Sequence, residues 1–145
     1  MKAVNKSARK VFDAAIARMG TGNHVVIGQA GGAYIPLVVE KIGQTHFTGQ
    51  TAMYDLFSFA HYSSQQGDAM RDPEVVMFKE PLSGDLYPIS WRNDYVGSDK
   101  QDCSYGEDGG IRGVKINQQA DNASFCNMWA KNLKDQQGLG KKSSK

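Results

Sequence analysis

Residues 56–91 read LFSFAHYSSQQGDAMRDPEVVMFKEPLSGDLYPISW. This stretch decides the fold, because it divides into three extended runs separated by two polar turns. In residues 56–62, Phe57, Phe59 and His61 alternate with Ser58, Ala60 and Tyr62, the period of a strand with one buried face. Met53, Phe57 and Ala60 also match a helical period, but the aromatic density and the turn residues that follow favour the strand. Gln66-Gly67-Asp68 is a turn signal, and Pro73 disfavours a helical Asp72. Residues 74–79 (EVVMFK) give the next strand, residues 82–85 turn the chain, and residues 87–91 (YPISW) give another, with Pro88 predicting irregular pairing.

Working outward, residues 24–28 (HVVIG) and 34–42 (YIPLVVEKI) form a predicted hairpin around Gln29-Ala30-Gly31-Gly32. Pro36 cannot donate to a ladder, which puts that strand at an edge or at a bulge. Residues 43–51 read as a polar loop. Upstream, Val4, Ala8, Val11, Phe12, Ala15, Ile16 and Met19 make a wide apolar stripe at the helical period, ended by Gly20. Residues 93–113 are polar and rich in Gly and Asp, and read as a long connection, functional or mobile. A second helix spans 118–135, with Phe125, Met128, Trp129, Asn132 and Leu133 on one face and Gly138 as its stop.

The predicted order is helix, about five strands in a meander, helix. Antiparallel neighbours on short loops, with helices only at the ends, give a two-layer α+β fold. Both helices are expected on one face of the sheet, with Phe12, Ile16, Phe125, Met128 and Trp129 meeting the strands. Residues 1–138 are expected to form one domain, and 139–145 a disordered basic tail.

Composition sets further bounds. A 145-residue chain with 40% hydrophobic and 22% charged residues is an ordinary globular chain that can bury a core without staples. Two cysteines, Cys103 and Cys126, are too few for a disulfide framework, and Cys126 falls in a helical apolar stripe. The first residues lack a secretory apolar core, and no run approaches the ~18 apolar residues of a membrane span. A reducing cytoplasm and no membrane partner are therefore expected. The net charge of +2 is unevenly placed: residues 1–20 and 115–145 each carry +4, and residues 21–80 and 81–114 each carry −3. That balance excludes a wholly acidic nucleic-acid mimic and leaves basic helix faces.

The text Ala60-His61-Tyr62, Gln66-Gly67-Asp68 and Met70-Arg71-Asp72-Pro73-Glu74 forms an AHYxxQxGDxMRDPE motif. It resembles that of a domain-of-unknown-function family of bacterial plasmids, integrative elements and phages. Pro88-Ile89-Ser90 with Asp94 and Gly97 resembles the family's next block, and Phe125, Trp129, Asn132, Leu133, Gln137 and Gly138 its closing helix. The likeness covers residues 24–138. Ser63, Ser64 and Gln66 depart from the Tyr, Glu and Asn usual there, so a carboxylate at position 64 is lacking. The resemblance implies a mobile-element setting and no established activity.

Chemistry is densest at His61, Asp68, Asp72 and Glu74. One imidazole and three carboxylates at a hairpin end suit a hard cation, Mg²⁺ or Mn²⁺, and through it phosphodiester hydrolysis. The structural reading outweighs it: Asp68 is a routine turn residue, Asp72 before proline closes an Asx turn, and Arg71 pairs with either. His61 beside Phe57 and Phe59 reads as a hydrogen-bonded core histidine. Other signatures fail. Gly31-Gly32 and Gly109-Gly110 lack the Lys-Ser/Thr of a phosphate cradle, and His24, His46 and His61 lack zinc-ligand spacing.

The remaining reading is binding. Residues 93–113 offer Tyr95, Asp99, Asp102, Tyr105, Glu107 and Asp108 as an acidic surface with aromatic anchors. Three functions are thus expected, in this order. The first is a non-enzymatic accessory protein that binds a host protein or ribonucleoprotein complex, such as an anti-CRISPR-like inhibitor of bacterial defence, with no cofactor. The second is a metal-dependent hydrolase using the His/Asp/Asp/Glu cluster. The third is a nucleic-acid binder working through its basic helix faces and tail.

Overall fold

Asn5 starts the first helix by accepting the Ala8 N–H, and α1 (Lys6–Ala17) turns Ala8, Val11, Phe12 and Ala15 inward. The computed structural model describes residues 1–29, 31–65 and 67–140. Ala30, Gln66 and the predicted basic tail from 141 onward lie outside the described residues. The fold itself runs past 138, since Leu139 is buried in the core.

Six strands follow: β1 (His24–Ile27), β2 (Leu37–Thr45), β3 (Tyr54–Gln65), β4 (Asp68–Lys79), β5 (Leu86–Asn93) and β6 (Ser98–Gln101). They pair antiparallel in chain order, a meander of six rather than five. A second sheet of two strands, β7 (Cys103–Tyr105) and β8 (Ile111–Val114), precedes α2 (Ile116–Gln137). Gly138, at φ +69°, closes α2 with its N–H on the Lys134 carbonyl, as a glycine stop should.

The α+β class, the meander and the two end helices match the sequence reading, and three local expectations are corrected. The 93–113 connection is mostly strand, contributing β6, β7 and β8. β2 begins at Leu37, after Pro36, and runs through a glycine bulge at Gly43 to Thr45. The strands on either side of the predicted turn run further than expected, to Gln65 and from Asp68, and make one long two-stranded ribbon. Gln65 pairs with Asp68, and Pro73 is absorbed where the register slips between Ala60↔Glu74 and Tyr62↔Arg71. Pro88 behaves as expected, at a second slip in the β4–β5 pairing.

One sheet face carries Ile27, Leu37, Val39, Phe57, Phe59, Val75, Met77 and Leu86 against both helices. Phe12 meets Phe59 edge to face at 4.9 Å and Trp129 at 5.9 Å. Met128, expected in this core, is 51% exposed. The buried stripe of α2 runs through Gln119, Asn122, Ala123, Cys126, Trp129, Ala130 and Leu133, one face over. On the opposite sheet face, the β7–β8 sheet roofs Phe78 and Ile89 with Cys103 and Ile111.

Candidate functional site

His61 sits on the helix-covered face. A tryptophan N–H can only donate, so Trp129 Nε1 at 3.3 Å makes His61 Nε2 an acceptor. His61 Nδ1 then carries the proton and donates to the Pro36 carbonyl at 3.1 Å. Burial lowers the pKa of this imidazole, partly offset by the Pro36 carbonyl and the charge of Asp72. Both nitrogens of a neutral ring are thus engaged in holding β2, β3 and α2 together.

The three carboxylates do not join it. Glu74 pairs with Ala60, so it projects from the other sheet face, where it accepts from Ser58 Oγ at 2.9 Å. Asp72 accepts from Asn93 Nδ2 at 2.7 Å. Asp68 is exposed opposite Gln65, four residues beyond His61 along the ribbon, or about 13 Å. Among the described residues no three His, Cys, Asp or Glu side chains stand together as a metal would need.

Arg71 pairs with neither Asp68 nor Asp72 but with Asp94, in the β5–β6 turn, and at 3.8 Å with Glu74. Asp94 accepts the Arg71 N–H at 2.8 Å and its Nε at 3.0 Å, and returns its own N–H to the Arg71 carbonyl at 2.9 Å. Arg92 adds a bond to the same carboxylate at 3.2 Å. The Arg71 N–H and side chain hold the Asp94 carboxyl below its ordinary pKa, so it stays ionised. Arg71-Asp72 with Asn93-Asp94 is therefore a clamp fixing the ends of β4 and β5, and sequence reading missed its distal half.

The six residues read as one acidic surface also separate. Tyr95 stands exposed in the clamped turn, its hydroxyl on Ser63 Oγ. Asp99 pairs with Arg92 across β5 and β6. Asp108 takes the Gly49 and Gly110 N–H groups and the Thr48 hydroxyl, which hold its carboxyl far below the usual range. Glu107 and Tyr105 are exposed near it, on the β7–β8 sheet and its turn. Asp102 is fully buried and accepts from Gln118 Nε2 at 2.7 Å and Asn122 Nδ2 at 2.9 Å.

That carboxylate belongs to a polar seam under α2. Gln119 donates to the carbonyls of Pro88 and Lys2 and accepts the Lys2 N–H, and Asn122 also donates to the Ser90 carbonyl. Directional bonds here replace apolar packing and fix where α2 lies on β5. The two thiols are inert: burial raises Cys126, and raises Cys103 to about 11.

The surface of the helix layer differs in kind. Between α1 and α2 runs a groove of about 710 Å³, lined by Lys10, Lys131 and Lys134 with Asn5, Ser7 and Asn127 among its polar groups. None of these three lysines forms an ion pair among the described residues. On the strands Arg71, Lys79 and Arg92 are paired, while Lys100 and Arg112 form no ion pair among the described residues but do not share a groove lined by other lysines. No described helix is long and apolar enough to cross a membrane.

No curated protein and no solved structure matches the chain. The family model of the domain of unknown function DUF6908 matches residues 8–139, from the first core position of α1 to the buried Leu139, and the chain belongs to that family.

Proposed function

We propose that the chain is a non-catalytic accessory protein of plasmids, integrative elements and phages that binds the phosphate backbone of nucleic acid through the α1–α2 groove. The observation that carries this reading is the groove's uncompensated charge: Lys10, Lys131 and Lys134 face one channel with no carboxylate partner among the described residues. Lysine binds phosphate as a mobile point charge, and the Asn and Ser side chains beside it supply sequence-independent hydrogen bonds. Gly140 lines the same groove, and the sequence continues from it into Lys141, Lys142 and Lys145. The reading puts the protein's action in the cytoplasm of a bacterial host.

Fluorescence anisotropy with a labelled 30-mer, single- and double-stranded, between 50 and 200 mM salt tests it. Reversing Lys10, Lys131 and Lys134 to Glu should abolish retention, and neutralising them to Gln should flatten the log K against log salt slope by about 1 per lysine. Binding that survives the triple reversal, or that never responds to salt, overturns the proposal.

A second reading rests on the β5–β6 turn, where Tyr95 and Val96 are 43% and 71% exposed yet fixed by the Arg71–Asp94 clamp. A held aromatic loses little entropy on docking, which favours contact with a host protein complex, in the manner of an anti-CRISPR inhibitor. Target cleavage by a purified CRISPR surveillance complex, with and without the chain, tests it. Inhibition should disappear in Tyr95→Ala, and no inhibition by the intact chain removes this reading.

A further inference from the structure

We infer that the α1–α2 groove takes double-helical nucleic acid in preference to single strands, meeting its sugar-phosphate backbone and leaving its bases unread. This rests on the phosphate-backbone reading of the groove and adds the form of the polymer. The hydrogen bonds already made by the lining carry it. Asn5 Oδ1 accepts the Ala8 N–H at 2.8 Å, and Asn127 Oδ1 accepts the Asn5 N–H at 2.8 Å. A backbone N–H can only donate, so both amides are fixed with their oxygens engaged by the protein. What they have left for a ligand is their Nδ2 donors, beside the donors of Lys10, Lys131 and Lys134. The Ser7 hydroxyl is the one polar side chain of the lining whose acceptor is not already engaged. Asparagine reads adenine by accepting from N6 while donating to N7, which an amide with its oxygen tied into a cap or tether does not offer. Phosphate oxygens only accept, and a lining of donors matches them.

The same lining chooses between the two polymers. Proteins hold single strands by stacking unpaired bases on aromatic rings or arginine, a contact that adds to charge. Neither an aromatic side chain nor an arginine lines this groove. The rings that α1 and α2 carry are spent on the core: Phe12 packs on Trp129, and Phe125 on Trp91. Attraction is therefore left to charge. A duplex presents one charge per ~1.7 Å of its axis, against ~3.4 Å for each strand, and releases more counterion for every phosphate neutralised. The affinity falls with salt by about 0.9 decades per decade for each phosphate met on a duplex and about 0.7 on a single strand. Three lysines thus open a gap of about 0.6 decades between 1 M and 0.1 M salt, or about fourfold in favour of the duplex.

Anisotropy competition on the full chain tests this, with AT-rich and GC-rich DNA duplexes, an RNA duplex and a dT single strand, all of one length. At 0.1 M salt a duplex should bind about fourfold tighter than the single strand and show the steeper salt dependence. The AT-rich and GC-rich duplexes should agree within about twofold, since backbone contacts carry no sequence information. The tighter of the DNA and RNA duplexes would assign the source. Changing Lys10, Lys131 and Lys134 together to Gln should erase most of the preference for duplex. A single strand bound as tightly as duplex, with the salt response intact and lost in the triple Gln variant, overturns this inference and leaves the phosphate reading of the groove standing. A preference of about tenfold between the AT-rich and GC-rich duplexes, the size of one bidentate base contact, overturns it as well. Binding that ignores the three lysines removes both.

Discussion

The β4–β5 clamp and the α1–α2 groove both gather charged side chains, and they do so in opposite ways. At the clamp opposite charges meet: Arg71 and Arg92 converge on Asp94 and Arg71 also reaches Glu74 at 3.8 Å, while Asp72 and Glu74 accept hydrogen bonds from Asn93 and Ser58. In the groove Lys10, Lys131 and Lys134 share a surface without a counter-charge among the described residues. The difference teaches that density of reactive residue types is a poor guide to a site. Groups that neutralise one another have already done their work in the fold, while charge left uncompensated is available to something else.

The largest effect is expected where a compensated group is also buried. Asp102→Ala takes one acceptor from each of the Gln118 and Asn122 amides, which keep the Gln101 and Ser90 carbonyls, and urea unfolding should show a loss of about 1–3 kcal/mol for each N–H left without an acceptor. A loss below 1 kcal/mol in total would mean that water reaches the seam. Next comes Arg71→Met, which should lower the melting temperature and speed amide exchange at Tyr95 and Val96 while leaving nucleic-acid retention unchanged. Unaltered exchange there would show that the turn holds itself.

His61 gives a smaller, pH-dependent effect whose sign follows from its burial. Its folded pKa lies below the unfolded value of 6.5, so below that pH the unfolded chain binds more protons than the folded one. Stability should be fully present above about pH 6.5 and fall as the pH drops from there towards the folded pKa. His61→Gln should remove that part of the profile in denaturant melts between pH 8 and 5. Parallel profiles for the two chains would contradict a neutral buried imidazole. The smallest stability change is expected in the groove: Lys131→Gln and Lys134→Gln should each stay within about 0.5 kcal/mol of the parent, as exposed unpaired residues do. A larger loss would mean that the lysines support the helices, and the contrast with the clamp would collapse.

The strands and helices were legible where hydrophobicity alternates or repeats, as in Phe57-Phe59-His61 and Ala8-Val11-Phe12-Ala15. They were not legible where an element lacks a buried apolar face. β6 reads SDKQ and lies at the sheet edge, so nothing in its pattern separates it from a loop. α2 buries Gln119 and Asn122, which rotated its apparent apolar face onto the exposed Met128. At the candidate site, the alternation of residues 57–61 correctly put His61 inward, but its partner Trp129 lies 68 residues away. Likewise Asp94, 23 residues from Arg71, outcompetes the nearer Asp68 and Asp72 because the meander returns β5 alongside β4. Local spacing carries no record of such pairings.

The double hydrogen bond between Lys2 and Gln119 spans 117 residues. On the ribosome, the opening residues of the chain must therefore wait, unfastened, until most of the polypeptide has emerged. Closing so long a loop is slow relative to forming the hairpins between them. The sheet can assemble as it is made, and the N-terminal strap is fastened last.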